Sequence, residues 1–217
     1  MNAQTERLTL SGPAGAIEVV RDAATLADGV AAPRGVALIA HPHPLFGGTM
    51  DNKVVQTLAR AFVQCGWTAV RFNFRGVGST EGVYDEGRGE LQDLLAVVEQ
   101  FAPAAEGQRI ALAGFSFGAF VTSHALATLW PQGRVDHAVL VGTAASRFTV
   151  APVPPEAHLR TLVVHGEQDD TVPLSSVMDW ARPQILPVTV VPAGGHFFHG
   201  QLPLLKNLVV RHLQSGV

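Results

Sequence analysis

The residues with the clearest potential for chemistry lie around Ser116, in the pattern Gly-x-Ser-x-Gly that begins at Gly114 and ends at Gly118. An apolar run precedes this pattern and a segment of helical period follows it, so the serine stands at a strand-to-helix turn. Such a turn exposes the serine hydroxyl, and a Cβ in place of either glycine would collide with the neighbouring strand or helix. The free N–H groups that begin the helix point toward developing negative charge. The pattern therefore predicts a nucleophilic serine.

A base and an orienting acid are also present. A serine hydroxyl is a weak nucleophile at neutral pH, so it needs a histidine that is held by a carboxylate. The segment 165–173 contains Asp169 and Asp170, and His196 follows a later predicted strand. The chain order Ser, Asp, His is the one that enzymes with this type of turn use. The residues alone leave Asp169 and Asp170 as alternatives for the acid.

Further motifs occur at residues 41–48 and 72–79, ahead of those at 114–118 and 165–173 and of the later histidine. This series resembles the α/β-hydrolase superfamily, and more narrowly the small lidless bacterial serine hydrolases related to dienelactone hydrolase. The resemblance implies an α/β-hydrolase fold with a mostly parallel central sheet of about seven to eight strands, helices on both faces and no cap domain.

The same resemblance assigns the catalytic residues. It implies that Ser116 is the nucleophile, His196 the base and Asp169 the acid, because the acid of the family's His-Gly-x-x-Asp motif stands four residues after its histidine. Asp170 is the alternative acid.

An oxyanion hole in such a fold uses the N–H of the residue after the nucleophile and one N–H from the loop after the first parallel strand. The first donor is predicted to be Phe117. Two prolines in the loop have no N–H to donate. We expect Leu45 to supply the second donor, with His43 as the alternative.

The pair His41 and His43, with His196 and His199 elsewhere, also permits a metal site, because two histidines at alternate positions can share one ligand sphere. No Asp or Cys stands beside the pair, and a metal site would leave the serine turn unexplained. We therefore predict no metal. His41 is expected to pack beneath the active site and to bond backbone carbonyl groups.

Arg75 opens a glycine-rich stretch after a predicted strand. A dinucleotide fingerprint would need a third glycine where the chain has Glu81. No cofactor is therefore predicted, and Arg75 is expected to form a structural ion pair.

Short apolar runs alternate with longer segments of helical period, which predicts a parallel sheet covered by helices, in an α/β fold. Strands are predicted near residues 8–10, 17–20, 36–40, 68–74, 109–113, 137–141, 161–164 and 188–191, and helices near 51–64, 88–101, 117–130, 175–181 and 202–213. A proline-rich stretch at 146–158 is predicted to be a loop. No linker or repeat interrupts the pattern, so residues 1–217 are predicted to form a single domain.

Composition restricts the class of protein. The 217 residues are 47% hydrophobic and 15% charged, which is enough apolar material for a large core. The formal charge is −3 and no Lys/Arg cluster occurs, so neither nucleic acid nor a membrane is an expected partner. A single cysteine, Cys65, cannot build a disulfide framework, and no signal pattern is visible, which indicates a cytoplasmic protein. A monomer and a homodimer both fit the sequence.

The combined expectation is a serine hydrolase that cleaves a carboxylic ester or thioester of short to medium acyl chain through an acyl-enzyme. The expected partner is a small-molecule ester, bound in a cleft that Phe46, Phe115, Phe197 and Phe198 wall. The alternatives are an acyltransferase or a peptidase that uses the same three residues, or a binding module without activity.

Overall fold

An eight-stranded sheet forms the centre of the molecule in the computed structural model, which describes residues 5–215. The strands are β1 (Thr5–Gly12), β2 (Gly15–Asp22), β3 (Val36–Ala40), β4 (Thr68–Phe72), β5 (Ile110–Phe115), β6 (Val135–Val141), β7 (Thr161–Gly166) and β8 (Val188–Val191). The α-helices within the same residues are α1 (Lys53–Gln64), α2 (Arg88–Phe101), α3 (Phe117–Leu129), α4 (Leu174–Ala181) and α5 (Leu202–Gln214). This alternation confirms the predicted α/β class.

The sheet is parallel except for a hairpin at one edge. The strand order is β1-β2-β4-β3-β5-β6-β7-β8, with β1 antiparallel to β2 and β2 antiparallel to β4. The other neighbouring strands pair in parallel, so their carboxyl ends lie along one edge of the sheet. The loops that follow β3, β5, β7 and β8 therefore meet at that edge.

Helices cover both faces of the sheet. The core between the sheet and α1 and α5 receives Ala111, Ala113 and Phe115 from β5, while Ile110 and Leu112 point to the core beneath α2, α3 and α4. This division follows from the alternation of side chains along a strand. None of the helices within residues 5–215 is long and apolar enough to cross a lipid bilayer.

Several elements differ from their predicted bounds. β1 and β2 extend to eight residues each, because their half-exposed ends continue one antiparallel ladder. Helix α1 begins at Lys53 rather than at residue 51, since the Asn52 side chain accepts a hydrogen bond from the first turn and caps it. The predicted loop 146–158 is irregular only in its first part, because Pro155–Arg160 form a 3₁₀-helix.

The predicted ion pair of Arg75 is present in the loop after β4. Its Nη2 lies 2.8 Å from Oδ1 of Asp93 on α2, and its Nε lies 3.0 Å from Oδ2. The Arg75 backbone N–H donates to the same carboxylate at 3.1 Å. Both residues are buried, so this bidentate pair fixes the loop to the helix.

Candidate active site

Ser116 lies on a sharp turn between β5 and α3. Its backbone has φ 57° and ψ −116°, a conformation that a non-glycine residue keeps only where its surroundings enforce it. A Cβ at Gly114 would lie 2.3 Å from the Gly118 carbonyl oxygen, and one at Gly118 would lie 2.4 Å from the Ala40 carbonyl oxygen. As predicted, only glycine fits at these two positions. The turn therefore packs directly against β3 and places Ser116 at the carboxyl edge of the sheet.

A hydrogen-bonded chain links Ser116, His196 and Asp169. Oγ of Ser116 lies 3.0 Å from Nε2 of His196, and Nδ1 of His196 lies 2.7 Å from Oδ2 of Asp169. Because a carboxylate can only accept, Nδ1 carries the proton and Nε2 is left to accept from the serine hydroxyl. The three side chains are buried, and they come from the loops after β5, β7 and β8.

Backbone N–H groups hold the Asp169 carboxylate. Its Oδ1 accepts from Thr171 at 2.9 Å and from Val172 at 2.7 Å, which leaves Oδ2 for His196. Burial raises the pKa of Asp169, but the hydrogen bonds from His196 and Val172 outweigh it and hold the pKa below its usual value. Asp170 is exposed and accepts instead from the Thr171 hydroxyl at 3.3 Å. The fold thus brings Asp169, and not Asp170, to the histidine.

The loops after β7 and β8 contact each other through their backbones. A Cβ at Gly166 would lie 2.3 Å from the Gly194 carbonyl oxygen, so this approach requires glycine. The Gln168 N–H donates to the same oxygen at 2.8 Å, and Oε2 of Glu167 accepts from the Ala193 N–H at 2.9 Å. These contacts fix the separation of the acid and the histidine.

His165 lies next to the acid, and the sequence analysis did not assign it a role. Its Nε2 lies 2.9 Å from the Val172 carbonyl oxygen and 3.5 Å from Oδ2 of Asp169. Burial lowers the pKa of His165, so the ring is neutral and donates from Nε2 to the carbonyl. Its signal in the sequence is its position at the end of a buried strand, four residues before Asp169.

Known proteins resemble this chain in sequence and in fold. The sequence model of a family described as "Serine aminopeptidase, S33" matches residues 31–154. The crystal structure of a serine hydrolase without a lid from Xanthomonas campestris has a TM-score of 0.84 and 36% identity, over 99% of this chain and 95% of that one. An α/β serine hydrolase homologue from Coxiella burnetii has a TM-score of 0.78 and 39% identity, over 96% and 97% of the two chains. The chain belongs to the α/β serine hydrolases.

One curated relative of this hydrolase is an uncharacterised protein of Rickettsia prowazekii. It is 33% identical over 153 residues, which are 66% of this chain and 60% of that protein, so the chain spans less than two thirds of that relative's length. The two solved relatives match over nearly their whole length. They confirm the α/β-hydrolase fold without a cap domain that the motifs predicted.

The structure contradicts Leu45 as the second oxyanion donor. Its N–H donates to Nδ1 of His43 at 3.2 Å, so the His43 ring caps the 3₁₀-helix Pro44–Phe46. The Leu45 side chain is 66% exposed. His43 lines the cavity beside Ser116, and within residues 5–215 its own N–H has no hydrogen-bond acceptor. The N–H of Phe117, at the start of α3, has no intrahelical partner. His43 and Phe117 therefore each have an N–H group free to bind an oxyanion.

His41 lies beneath the loop after β3 and is fully buried. Its Nδ1 donates to the Pro42 carbonyl at 2.6 Å, and its Nε2 accepts from the Phe74 N–H at 3.0 Å. Burial lowers the pKa of His41 to about 4, although the hydrogen bond to Pro42 acts in the opposite direction. The neutral ring connects the loops after β3 and β4. Its position beneath the site agrees with the prediction, but only one of its two bonds is to a carbonyl group.

A cavity of about 300 Å³ opens beside the serine and the histidine. Its lining residues are Pro42, His43, Phe46, Gly47, Gly48, Asn52, Ser116, Phe117, Ala144, Arg147, Phe148, Thr171, Val172, His196 and Phe197. Phe117 and Phe148, which the sequence analysis did not assign to the cleft, add two aromatic rings to the wall. A volume of this size is at the lower end of the range for small-molecule sites.

Two of the four phenylalanines predicted to wall the cleft do line it, namely Phe46 and Phe197. The prediction for Phe115 is wrong, because its position on β5 directs its side chain into the core beneath α1 and α5. Phe198 is buried in the same core. Both rings support the site from below rather than facing the cavity.

The histidines that suggested a metal site have other partners. Both ring nitrogens of His41 are bonded to backbone groups, and Nδ1 of His43 accepts from Leu45. Within residues 5–215, no group of three or more His, Cys, Asp or Glu is arranged to hold a metal ion.

The depressed pKa of His41 predicts a pH-dependent stability. Between pH 6.5 and 4 the unfolded chain binds a proton at this residue that the folded protein does not, so the free energy of unfolding falls as the pH falls. The slope is about 1.4 kcal/mol per pH unit for each such histidine. The free energy of unfolding, measured by urea unfolding at pH 5, 6 and 7, should therefore change less per pH unit for His41→Gln than for wild type.

His199→Gln is the matched control, because His199 is exposed. In this variant the free energy of unfolding should depend on pH as it does in wild type. Burial also lowers the pKa of His137 to about 4, so some pH dependence should remain in every variant. Equal slopes for His41→Gln and wild type would contradict the assignment.

Proposed function

We propose that this hydrolase is a carboxylesterase that cleaves small carboxylic esters or thioesters through an acyl-enzyme. Ser116 is the nucleophile, His196 the general acid and base, and Asp169 the group that orients the imidazole. The observation that carries this proposal is the unbroken hydrogen-bond chain from Oγ of Ser116 through His196 to Asp169, at the wall of an aromatic cavity.

The reaction runs in two halves. Oγ of Ser116 bonds to the ester carbonyl carbon while its proton passes to Nε2 of His196, and the carbonyl oxygen becomes negative. The carbon–oxygen bond to the alcohol then breaks, and the alcohol oxygen takes the proton from His196. Water next gives a proton to His196 and attacks the acyl carbon. The bond to Ser116 breaks, the serine recovers its proton, and the carboxylic acid leaves.

Two N–H groups stabilise the negative carbonyl oxygen in this proposal. One is that of Phe117, which also carries the positive end of the α3 dipole. The other is that of His43, in the loop after β3. Preorganised donors of this kind, shielded from water, act on charge that exists only in the transition state, so they increase kcat rather than binding of the ester itself.

The cavity favours an ester over a peptide with a free amino terminus. An enzyme that removes N-terminal residues needs an anionic group to pair with the substrate ammonium. No Asp or Glu lines the cavity within the described part of the chain. Water is the proposed acyl acceptor, because the rim is open, with Phe46 73% and Phe197 44% exposed.

The volume of the cavity supports short and medium acyl chains. At about 300 Å³ it holds a small ester, and no cap domain extends its apolar wall. Hydrolysis of p-nitrophenyl acetate, butyrate and palmitate should therefore give a higher kcat/KM for the two shorter esters. A clear preference for the long-chain palmitate would contradict the proposed substrate size, and no hydrolysis by folded protein would contradict the esterase proposal.

The acid assignment predicts opposite results for two neighbouring substitutions. Asp169→Asn should lower kcat on p-nitrophenyl butyrate about 10⁴-fold. The amide oxygen would keep the Thr171 and Val172 N–H groups, so the amide NH2 would face His196 and donate to Nδ1, which leaves the proton on Nε2, where it cannot accept from Ser116. Asp170→Asn, the matched control on the same turn, should stay near wild type. Circular dichroism checks that both variants fold, and a loss confined to Asp170→Asn would overturn the assignment.

The second oxyanion donor can be removed without altering the backbone. His43 has φ −53°, which proline adopts, so His43→Pro deletes the N–H while it keeps the loop conformation. The kcat of His43→Pro should be about 10²- to 10³-fold lower than that of His43→Ala, which lacks the ring but retains the N–H. Equal kcat values for these two variants would exclude the His43 N–H from the oxyanion hole.

A further inference from the structure

One side chain in the cavity wall is permanently charged. Of the lining residues within the described part of the chain, only Arg147 is ionised at every physiological pH. It comes from the irregular segment after β6, and it faces the same space as Ser116 and His196. The esterase chemistry proposed above gives it no part.

Arg147 also has no partner of opposite charge. Most arginines of this chain pair with a carboxylate, including buried Arg71 and Arg75, which are held by acidic side chains. Within residues 5–215 the guanidinium of Arg147 makes neither an ion pair nor a hydrogen bond. Its five N–H donors are therefore available to a ligand.

The guanidinium of Arg147 lies beside an aromatic ring of the cavity wall. The guanidinium carbon lies 5.9 Å from the centroid of the Phe46 ring, within the range of a cation–π contact. Phe148 follows it in the chain and lines the same cavity. Arg147 is itself exposed, so the guanidinium stands at the mouth of the cavity, where added salt screens its charge.

The effect of this charge is visible at His43. Burial lowers the pKa of His43, and the positive charge of Arg147 lowers it further. The imidazole is therefore neutral at neutral pH, and it does not add a second cation or attract an anion away from Arg147. The net charge of the chain, −3, does not draw anions to the molecule as a whole. Attraction of an anion is thus a local property of the cavity.

We propose that the substrate of this hydrolase is an ester that carries a second, ionised carboxylate, and that Arg147 binds this carboxylate while Ser116 attacks the ester group. The inference rests on the proposed esterase function and names its substrate class. A planar guanidinium matches a carboxylate in a bidentate pair, which a neutral ester cannot form. The apolar part of such a substrate would contact Phe46, Phe148 and Phe197.

The test compares esters that differ only in the second acid group. The carboxylate can belong to the acyl part or to the alcohol part, so two pairs of substrates are needed. Mono-p-nitrophenyl adipate and its neutral amide counterpart probe the acyl side, and 4-carboxyphenyl acetate and 4-carbamoylphenyl acetate probe the alcohol side. In at least one pair, wild type should show a kcat/KM about tenfold higher for the carboxylate.

Substitutions identify the source of the preference. Arg147→Gln should abolish it by lowering kcat/KM for the carboxylate ester to the value for its neutral counterpart, while Arg147→Lys should retain part of it. Arg211→Gln is the matched control, because Arg211 is exposed on α5 and makes no ion pair within the described residues. The preference should also shrink as salt is added. Equal rates within both pairs, or a proportional loss on all esters in Arg147→Gln, would overturn the inference.

Binding separates this inference from the esterase proposal. If no ester is cleaved, the esterase proposal fails, and calorimetric titration of Ser116→Ala protein with both pairs of esters still tests the carboxylate site. Tighter binding of the carboxylate member of at least one pair, lost when Arg147→Gln is added, would sustain the inference. Equal binding within both pairs, or no binding, would overturn it.

Discussion

The close packing of β5, β3 and α3 at the serine turn is the constraint on which the site depends. Gly114 and Gly118 allow three backbone segments to approach within contact distance, and Ser116 takes its strained conformation as a result. This packing sets the position of the hydroxyl relative to the sheet. It also brings the loop after β3 beside the start of α3, so His43 and Phe117 line one cavity.

The remaining part of the site is a series of buried polar side chains that are bonded mainly to backbone groups. Asp169 keeps its charge because two N–H groups and His196 bond it, while His165 and His41 stay neutral and bond backbone atoms. Buried polar groups without partners are costly, so this arrangement stabilises one loop geometry over others. The position of the histidine nitrogen next to the serine follows from that geometry.

Local turns and chain order predicted Ser116 and His196, and the family resemblance chose Asp169 over Asp170. The structure brings these three side chains into one hydrogen-bonded chain. Sequence reasoning assigned Leu45 wrongly, because whether that N–H is free depends on the ring of His43, which caps the 3₁₀-helix. Strand alternation could have excluded Phe115, which shares a face with other core residues of β5. Arg147 lies in an irregular segment without a repeating pattern, so only the folded chain places it in the cavity.

The central claim, that His196 and Asp169 activate Ser116 as a nucleophile, is tested most directly by a fluorophosphonate, which phosphonylates activated serines. Intact-mass analysis should show one adduct per chain, peptide mapping should place it on Ser116, and Ser116→Ala should show none. Absence of an adduct on folded wild-type protein, or an adduct that persists in Ser116→Ala, would contradict the account.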